Sequence, residues 1–196
     1  AMLEELPAGT GIAVGNVPEA FESTAGDADV IFNWSGSGTL LRQVFRMCEN
    51  VRWLHTRSAG LDGLWFPELT ESRVVVTNSS GVFSAPLGEF ALGAILFFAK
   101  GFRRMVRSQE AGRWDQFDVQ EAAGSTVGIV GYGDIGREVA VRARALGMRV
   151  IAVRRHPEKS QGDTLVDAIF APAQLEALLA QSDYVVVSAP LTPETQ

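Results

Sequence analysis

Ser125-Thr126-Val127-Gly128-Ile129-Val130-Gly131-Tyr132-Gly133-Asp134-Ile135-Gly136 is the stretch on which the reading of this chain turns. Thr126 to Val130 is apolar and β-branched, the pattern of a buried strand. Gly131 to Gly136 breaks it. From Arg137 to Leu146 the apolar residues Val139, Ala140, Ala143 and Leu146 recur near the helical period, and Gly147 ends the run. Val150-Ile151-Ala152-Val153 then reads as a second buried strand. The order is strand, glycine-rich turn, helix, strand: one βαβ unit.

Each glycine has its own task. Gly131 permits the tight turn off the strand, Gly133 lets a pyrophosphate approach the bare backbone, and Gly136 lets helix and strand pack closely. The free N–H groups of the first helical turn, at Asp134 and Ile135, face the phosphates, and the helix dipole favours their charge. A G-x-G-x-x-G alone is weak; here the strand before it, the helix after it and the second strand all agree with a dinucleotide site. The alternative is an ordinary glycine-rich βα turn, of the kind methyltransferases also carry.

The second strand speaks to the nucleotide. An NAD site places Asp or Glu about 20 residues on, where it bonds the ribose 2′-OH. Here Arg154-Arg155 and His156 stand at the strand end, and the nearest acid is Glu158, past Pro157. Two guanidinium forks suit a 2′-phosphate. At roughly 1.5–3 kcal/mol for each charge-assisted bond, they favour NADP over NAD. A pair of solvated surface arginines is the alternative.

Composition narrows the class. The chain has 196 residues, 46% hydrophobic and 20% charged, room for one large domain or two small ones. A net charge of −6 argues against nucleic acid or an anionic membrane as the main partner. The single cysteine, Cys48, excludes an intrachain disulfide and suits a reducing, cytoplasmic compartment. It lies among Leu41, Val44, Phe45 and Met47, so a buried structural thiol is expected. The apolar stretch Phe90 to Ala99 is too short to span a bilayer. No metal-ligand cluster is read from the sequence.

Along the chain, residues 1–6 read as the tail of a helix stopped at Pro7. Gly11–Val14, Asp29–Asn33, Val51–Thr56 and Arg73–Thr77 read as strands, Leu40–Cys48 as an amphipathic helix and Trp65–Leu69 as a helical turn. Strands separated by helices imply a parallel sheet, with ligands at the carboxyl ends of its strands. Pro86–Lys100 is the longest helix. Being apolar nearly all round, it should be buried on most sides, between domains and against a partner subunit. A basic helix, Arg103–Gln109, follows. After Arg155 come a weak strand, Ala168–Phe170, a helix, Pro172–Gln181, and a strand, Tyr184–Val187.

Four stretches now resemble a known family: Ser58-Ala59-Gly60-Leu61-Asp62; Val76-Thr77-Asn78 with Pro86-Leu87-Gly88-Glu89; Val127 to Gly136; and Asp183 to Thr195, above all Ala189-Pro190-Leu191-Thr192-Pro193-Glu194-Thr195. In this order they resemble the D-isomer-specific 2-hydroxyacid dehydrogenases of the phosphoglycerate dehydrogenase and glyoxylate/hydroxypyruvate reductase type. The resemblance implies an α/β fold: a flavodoxin-like substrate domain over 1–92, lacking its first strand, and the first part of a Rossmann NAD(P)-binding domain over 93–196, both with parallel sheets. It implies that backbone N–H groups of Ser58, Ala59 and Gly60 hold a substrate carboxylate. It implies that Gly131, Gly133, Asp134, Ile135, Gly136, Arg154, Arg155, Ala189, Pro190 and Thr195 hold the cofactor. Glu89 matches a family glutamate, read as structural. Trp34, Ser35, Trp65, Phe66 and Phe83 are candidates to shape the substrate pocket.

In that family the catalytic Arg, Glu and His lie beyond the strand that ends here at Val187, and His55 and His156 match neither position nor context. The expectation is therefore a piece of a longer chain, with no catalytic residue of its own. Its parent would be an NADP-dependent oxidoreductase, a homodimer, acting on a small 2-oxo or 2-hydroxy acid. A non-catalytic NAD(P)-binding regulatory protein on the same scaffold is the alternative. Another Rossmann enzyme is a third reading, opposed by the Ser58–Gly60 and Pro190–Thr195 stretches.

Overall fold

The computed structural model describes residues 5–192, 194 and 195. Most of the expected helix tail, at residues 1–4, lies outside them, as does Pro193 of the final stretch. The chain divides into two compact units, Ala1–Ser80 and Gly81–Gln196. Each is an α/β unit built on a parallel sheet.

The first unit holds β1 (Val30–Asn33), α1 (Gly38–Met47), β2 (Trp53–Thr56), the single turn α2 (Pro67–Thr70) and β3 (Val75–Asn78). The strands lie side by side in the order β1-β2-β3, with Asn33 opposite Thr56 and Thr56 opposite Asn78. Strand alternation sends Ile31 and Leu54 to one face, where Leu41, Val44 and Phe45 of α1 cover them with Leu64, Phe66, Leu69 and Cys48. Cys48 is buried as expected, and burial pushes its thiol pKa up. Val30, Phe32, Trp53 and Val75 are exposed. Ser37 starts α1, accepting from the Leu40 N–H at 3.3 Å, a cap that contributes about 1 kcal/mol. Glu68 ties α2 to α1 by accepting from Arg42 Nε at 3.2 Å and Arg46 Nε at 2.8 Å.

One expected strand does not form. Gly11–Val14 has no ladder partner, and Ile12 and Val14 are exposed. An isolated apolar run cannot satisfy its backbone by strand pairing, and the sheet ends at β1.

The second unit holds α3 (Ser84–Ala99), α4 (Phe102–Glu110), β4 (Thr126–Val130), α5 (Asp134–Ala145), β5 (Arg149–Val153), β6 (Ala168–Phe170), α6 (Leu175–Leu179) and β7 (Tyr184–Val187). Strand order is β6-β5-β4-β7, all parallel. One face packs Val127, Ile129, Val150 and Ala152 against Val139, Ala140 and Ala143 of α5 and Ile95 of α3. Leu178 of α6 meets Ile151 and Val153. With helices covering the sheet, the central strands read as continuous apolar runs rather than alternating ones. The expected helix Pro172–Gln181 is tighter at its start, a 3-10 turn over Pro172–Gln174, and its α-helical part is α6.

The long helix corrects one expectation. α3 begins at Ser84, two residues before Pro86, and only Ser84, Gly88, Ile95 and Ala99 are buried. Phe90 and Phe98 remain 76% and 72% exposed. An all-round apolar sequence predicts burial on most sides, yet within this chain α3 buries one face, chiefly against α5. Among the described residues no single helix is long and apolar enough to cross a membrane.

Candidate functional site

In the second unit the carboxyl ends of β4, β5 and β7 converge on Gly131. Its φ is +98°, in the region open to glycine. A Cβ there would lie 2.4 Å from the Ala189 nitrogen. The Gly131 and Tyr132 N–H groups both donate to the Val153 carbonyl at the end of β5, at 3.0 and 3.2 Å. On the other side the Ser188 N–H donates to Val130 O and its hydroxyl to Gly131 O, each at 2.8 Å. The turn is thus fixed by both neighbouring strands.

The other two glycines differ in what surrounds them. At Gly136 a Cβ would meet Gly131 O at 2.6 Å and Ile129 Cγ2 at 3.0 Å, so the first turn of α5 lies directly on the strand. At Gly133 a Cβ would meet nothing within 4 Å. No side chain caps α5, and its first-turn N–H groups, including those of Asp134 and Ile135, have no intrahelical acceptor. The result is an open surface of backbone donors at the positive end of a helix dipole, which fits a pyrophosphate.

Arg154 and Arg155 stand at the end of β5. Arg154 Nη1 donates to Ser160 Oγ at 2.5 Å, and Arg154 has no carboxylate at ion-pair distance among the described residues. Arg155 is exposed, with Nη2 3.8 Å from Glu194 Oε2. His156 is exposed, its Nδ1 3.3 Å from Glu158 Oε1. Thr195 Oγ1 donates to Pro190 O at 2.7 Å, closing the loop that follows β7. All ten residues expected at the nucleotide therefore lie along one edge of one sheet.

The sequence reading missed the support beneath this edge. Tyr132 is buried and its hydroxyl donates to Asp163 Oδ2 at 3.1 Å. Arg137 of α5 pairs with the same oxygen, and the Leu165 N–H donates to Oδ1 at 3.1 Å. Burial pushes the Asp163 pKa up, but the Leu165 N–H, the Tyr132 hydroxyl and Arg137 outweigh it and hold the carboxyl below its usual range. Desolvation first, and then Asp163, raise the Tyr132 pKa to about 12. Glu89 reaches Arg142 Nη2 at 3.4 Å, an α3–α5 pair, and is largely exposed.

In the first unit the Ser58-Ala59-Gly60 loop leaves the end of β2. Asn78 at the end of β3 donates from Nδ2 to Ala59 O at 2.7 Å. Ser79 N–H donates to Ser58 O at 3.4 Å, and Thr56 Oγ1 receives the Ser58 N–H at 3.4 Å. The Ala59 and Gly60 N–H groups have no acceptor among the described residues. A loop clamped through its carbonyls, with donors to spare, has the form of an anion-binding turn. Of the candidate pocket residues, Phe66 is instead a core side chain, edge-on to Phe45 at 5.3 Å. Trp34 and Trp65 are exposed. His55 lies on β2, its Nδ1 2.8 Å from the Thr77 hydroxyl, which also accepts from Trp53 Nε1 at 2.8 Å. No group of three or more His, Cys, Asp or Glu side chains is placed to hold a metal among the described residues.

Comparison with known proteins agrees with this fold. Residues 92–196 match the family model described as D-isomer specific 2-hydroxyacid dehydrogenase, NAD binding domain. The chain is 32% identical over 163 residues to a glyoxylate reductase of Thermococcus kodakarensis, covering 79% of this chain and 48% of that protein. It is 29% identical over 191 residues to a D-3-phosphoglycerate dehydrogenase of Methanocaldococcus jannaschii, covering 94% and 35%. The crystal structure of a glycerate dehydrogenase related protein from Thermoplasma acidophilum superposes with a TM-score of 0.57 at 34% identity, covering 76% of this chain and 50% of that one. The chain thus spans half or less of the length of these relatives. With that family model matching more than half of its length, the chain belongs to the D-isomer-specific 2-hydroxyacid dehydrogenase family.

Proposed function

We propose that this chain supplies the cofactor site and the carboxylate cradle of an NADP-dependent oxidoreductase acting on small 2-oxo or 2-hydroxy acids of the glyoxylate or hydroxypyruvate kind. The observation that carries the cofactor half is the open Gly133 edge beside Arg154 and Arg155, with no acid at the end of β5. Gly131, Gly133 and Gly136 shape the turn; the Asp134 and Ile135 N–H groups hold the pyrophosphate. Arg154 and Arg155 take the 2′-phosphate, and Ala189, Pro190 and Thr195 line the loop after β7. The bound nicotinamide supplies or receives the hydride. The Ser58, Ala59 and Gly60 loop orients the substrate carboxylate. No proton donor is assigned within this chain.

The functional division is proposed at residue 92, substrate part before it and nucleotide part after. That boundary runs through α3, whereas the second compact unit starts at Gly81 because α3 packs on α5. We also propose a homodimer through α3 and α4. Phe90 and Phe98, with the half-exposed Leu87, Phe97, Phe102, Met105 and Val106, form a large apolar surface for a single chain to leave in water.

The test is NADPH oxidation by the intact protein with glyoxylate and hydroxypyruvate. Turnover with both or either supports the reading; tight NADPH binding without turnover of any 2-oxo acid would favour a regulatory protein on the same scaffold.

A further inference from the structure

We propose that Arg57, held over the indole of Trp34, recognises a second oxyanion on the substrate and selects 2-oxo acids that carry two negative groups. The inference rests on the proposed function, which puts the 2-oxo carboxylate on the Ser58–Gly60 loop, and adds the chemistry at the other end of the molecule.

Three observations carry it. The first is charge. In the first unit Glu68 neutralises Arg42 and Arg46, and Asp29 neutralises Arg52. Arg57, like Arg73, has no carboxylate within ion-pair distance among the described residues, although Asp62 lies on the same loop. The second is placement. Trp34 directly follows β1 and Arg57 directly follows β2, and the Arg57 N–H donates to Asn33 O at 3.2 Å. Both residues therefore stand at the sheet edge from which the anion cradle also leaves. The third is the ring contact. The guanidinium carbon sits 4.9 Å from the Trp34 ring centroid. A guanidinium held over an aromatic ring still offers its N–H fork, which has no acceptor among the described residues, to a carboxylate or phosphate that can take it bidentately. The Ala59 and Gly60 donors already suffice for one carboxylate, so a monoanionic acid leaves this permanent charge without a partner.

The experiment compares kcat/KM of the intact protein for two monoanionic acids, glyoxylate and hydroxypyruvate, and two with a second oxyanion, oxaloacetate and phosphohydroxypyruvate. Arg57→Met keeps the stem and removes the fork. It should lower kcat/KM by about 10- to 100-fold for the doubly charged acid that the wild type prefers, as expected for lost charge-assisted bonds, and by less than about 3-fold for the monoanions. Loss with oxaloacetate alone identifies a carboxylate site, with the phosphorylated acid alone a phosphate site, and with both a general one. An equal loss on all four acids would place Arg57 on the shared carboxylate and overturn the proposal, as would no loss at all.

Trp34→Leu tests the stacking. It should raise KM for the preferred doubly charged acid while kcat holds, and Trp34→Phe should restore most of the loss. An unchanged KM contradicts a positioning role. If the intact protein reduces no 2-oxo acid, calorimetry with D-malate and glycolate separates the two ideas. Malate binding that Arg57→Met abolishes would sustain the second-anion site although the activity reading had failed. Malate binding that is absent, or indifferent to Arg57, ends the proposal.

Discussion

The Tyr132 hydroxyl donates a 3.1 Å hydrogen bond to Asp163, so the residue between the first two glycines of the turn is anchored to the segment between β5 and β6. Tyr132→Phe should cost about 1 kcal/mol, the net value of one such bond. Asp163→Ala should cost more, about 1–3 kcal/mol, because it leaves a buried hydroxyl unsatisfied and removes the partner of Arg137. Urea unfolding of the two variants checks the order; a larger loss for Tyr132→Phe contradicts the network.

The same carboxyl sets a pH dependence. Its folded pKa is depressed, so its contribution is fully present above the unfolded value of about 3.9 and is lost as pH falls below that toward the folded pKa. Glu68 behaves alike: hydrogen bonds from Arg42 first, then a backbone N–H and Arg46, hold it at about 2. Following the carboxyl carbons by NMR should show Glu68 titrating near 2, and Arg42→Ala should move it up toward about 4.3. A Glu68 midpoint indifferent to Arg42 would rule out that cause.

Two glycines of the turn, Gly131 and Gly133, should separate fold from binding. Gly131→Ala puts a side chain at φ +98° and against Ala189, and should cost more than about 1–3 kcal/mol. Gly133→Ala meets open space and should cost under about 1 kcal/mol, yet weaken dinucleotide binding ten-fold or more. If Gly133→Ala binds nucleotide as the wild type does, the phosphates do not approach that backbone.

Much of this was legible because local pattern and tertiary role coincide. The run Thr126–Val130, the glycine spacing and the Arg137–Leu146 periodicity report a buried strand, a tight turn and a packed helix, and nothing distant alters them. The failures have a common cause. Gly11–Val14 has strand composition, but a strand exists only with a partner. Helix α3 has no polar face, so its sequence does not say which side this chain covers and which it leaves bare. Asp163, in what reads as a polar connection, acquires its role only when the chain folds back on Tyr132 and Arg137. Phe66 is an aromatic near the candidate pocket, and only the fold shows it inside the core beside Phe45.

The bare side of α3 makes its own prediction. Phe90→Asp together with Phe98→Asp should give monomers in sedimentation at micromolar concentration, with the thermal unfolding of each chain little changed, since neither side chain is buried. A wild type that is already monomeric would remove the dimer proposal.

The most direct test of the cofactor reading is the affinity of the intact protein for NADPH and NADH, in the wild type and in a variant carrying Arg154→Asp and Arg155→Ser. Each charge-assisted bond to a 2′-phosphate is worth roughly 1.5–3 kcal/mol, so the wild type should bind NADPH at least ten-fold more tightly. The variant should lose most of that preference by weakening NADPH while NADH changes little. Equal wild-type affinities, or a variant whose preference is intact, would contradict the assignment of Arg154 and Arg155 to the phosphate.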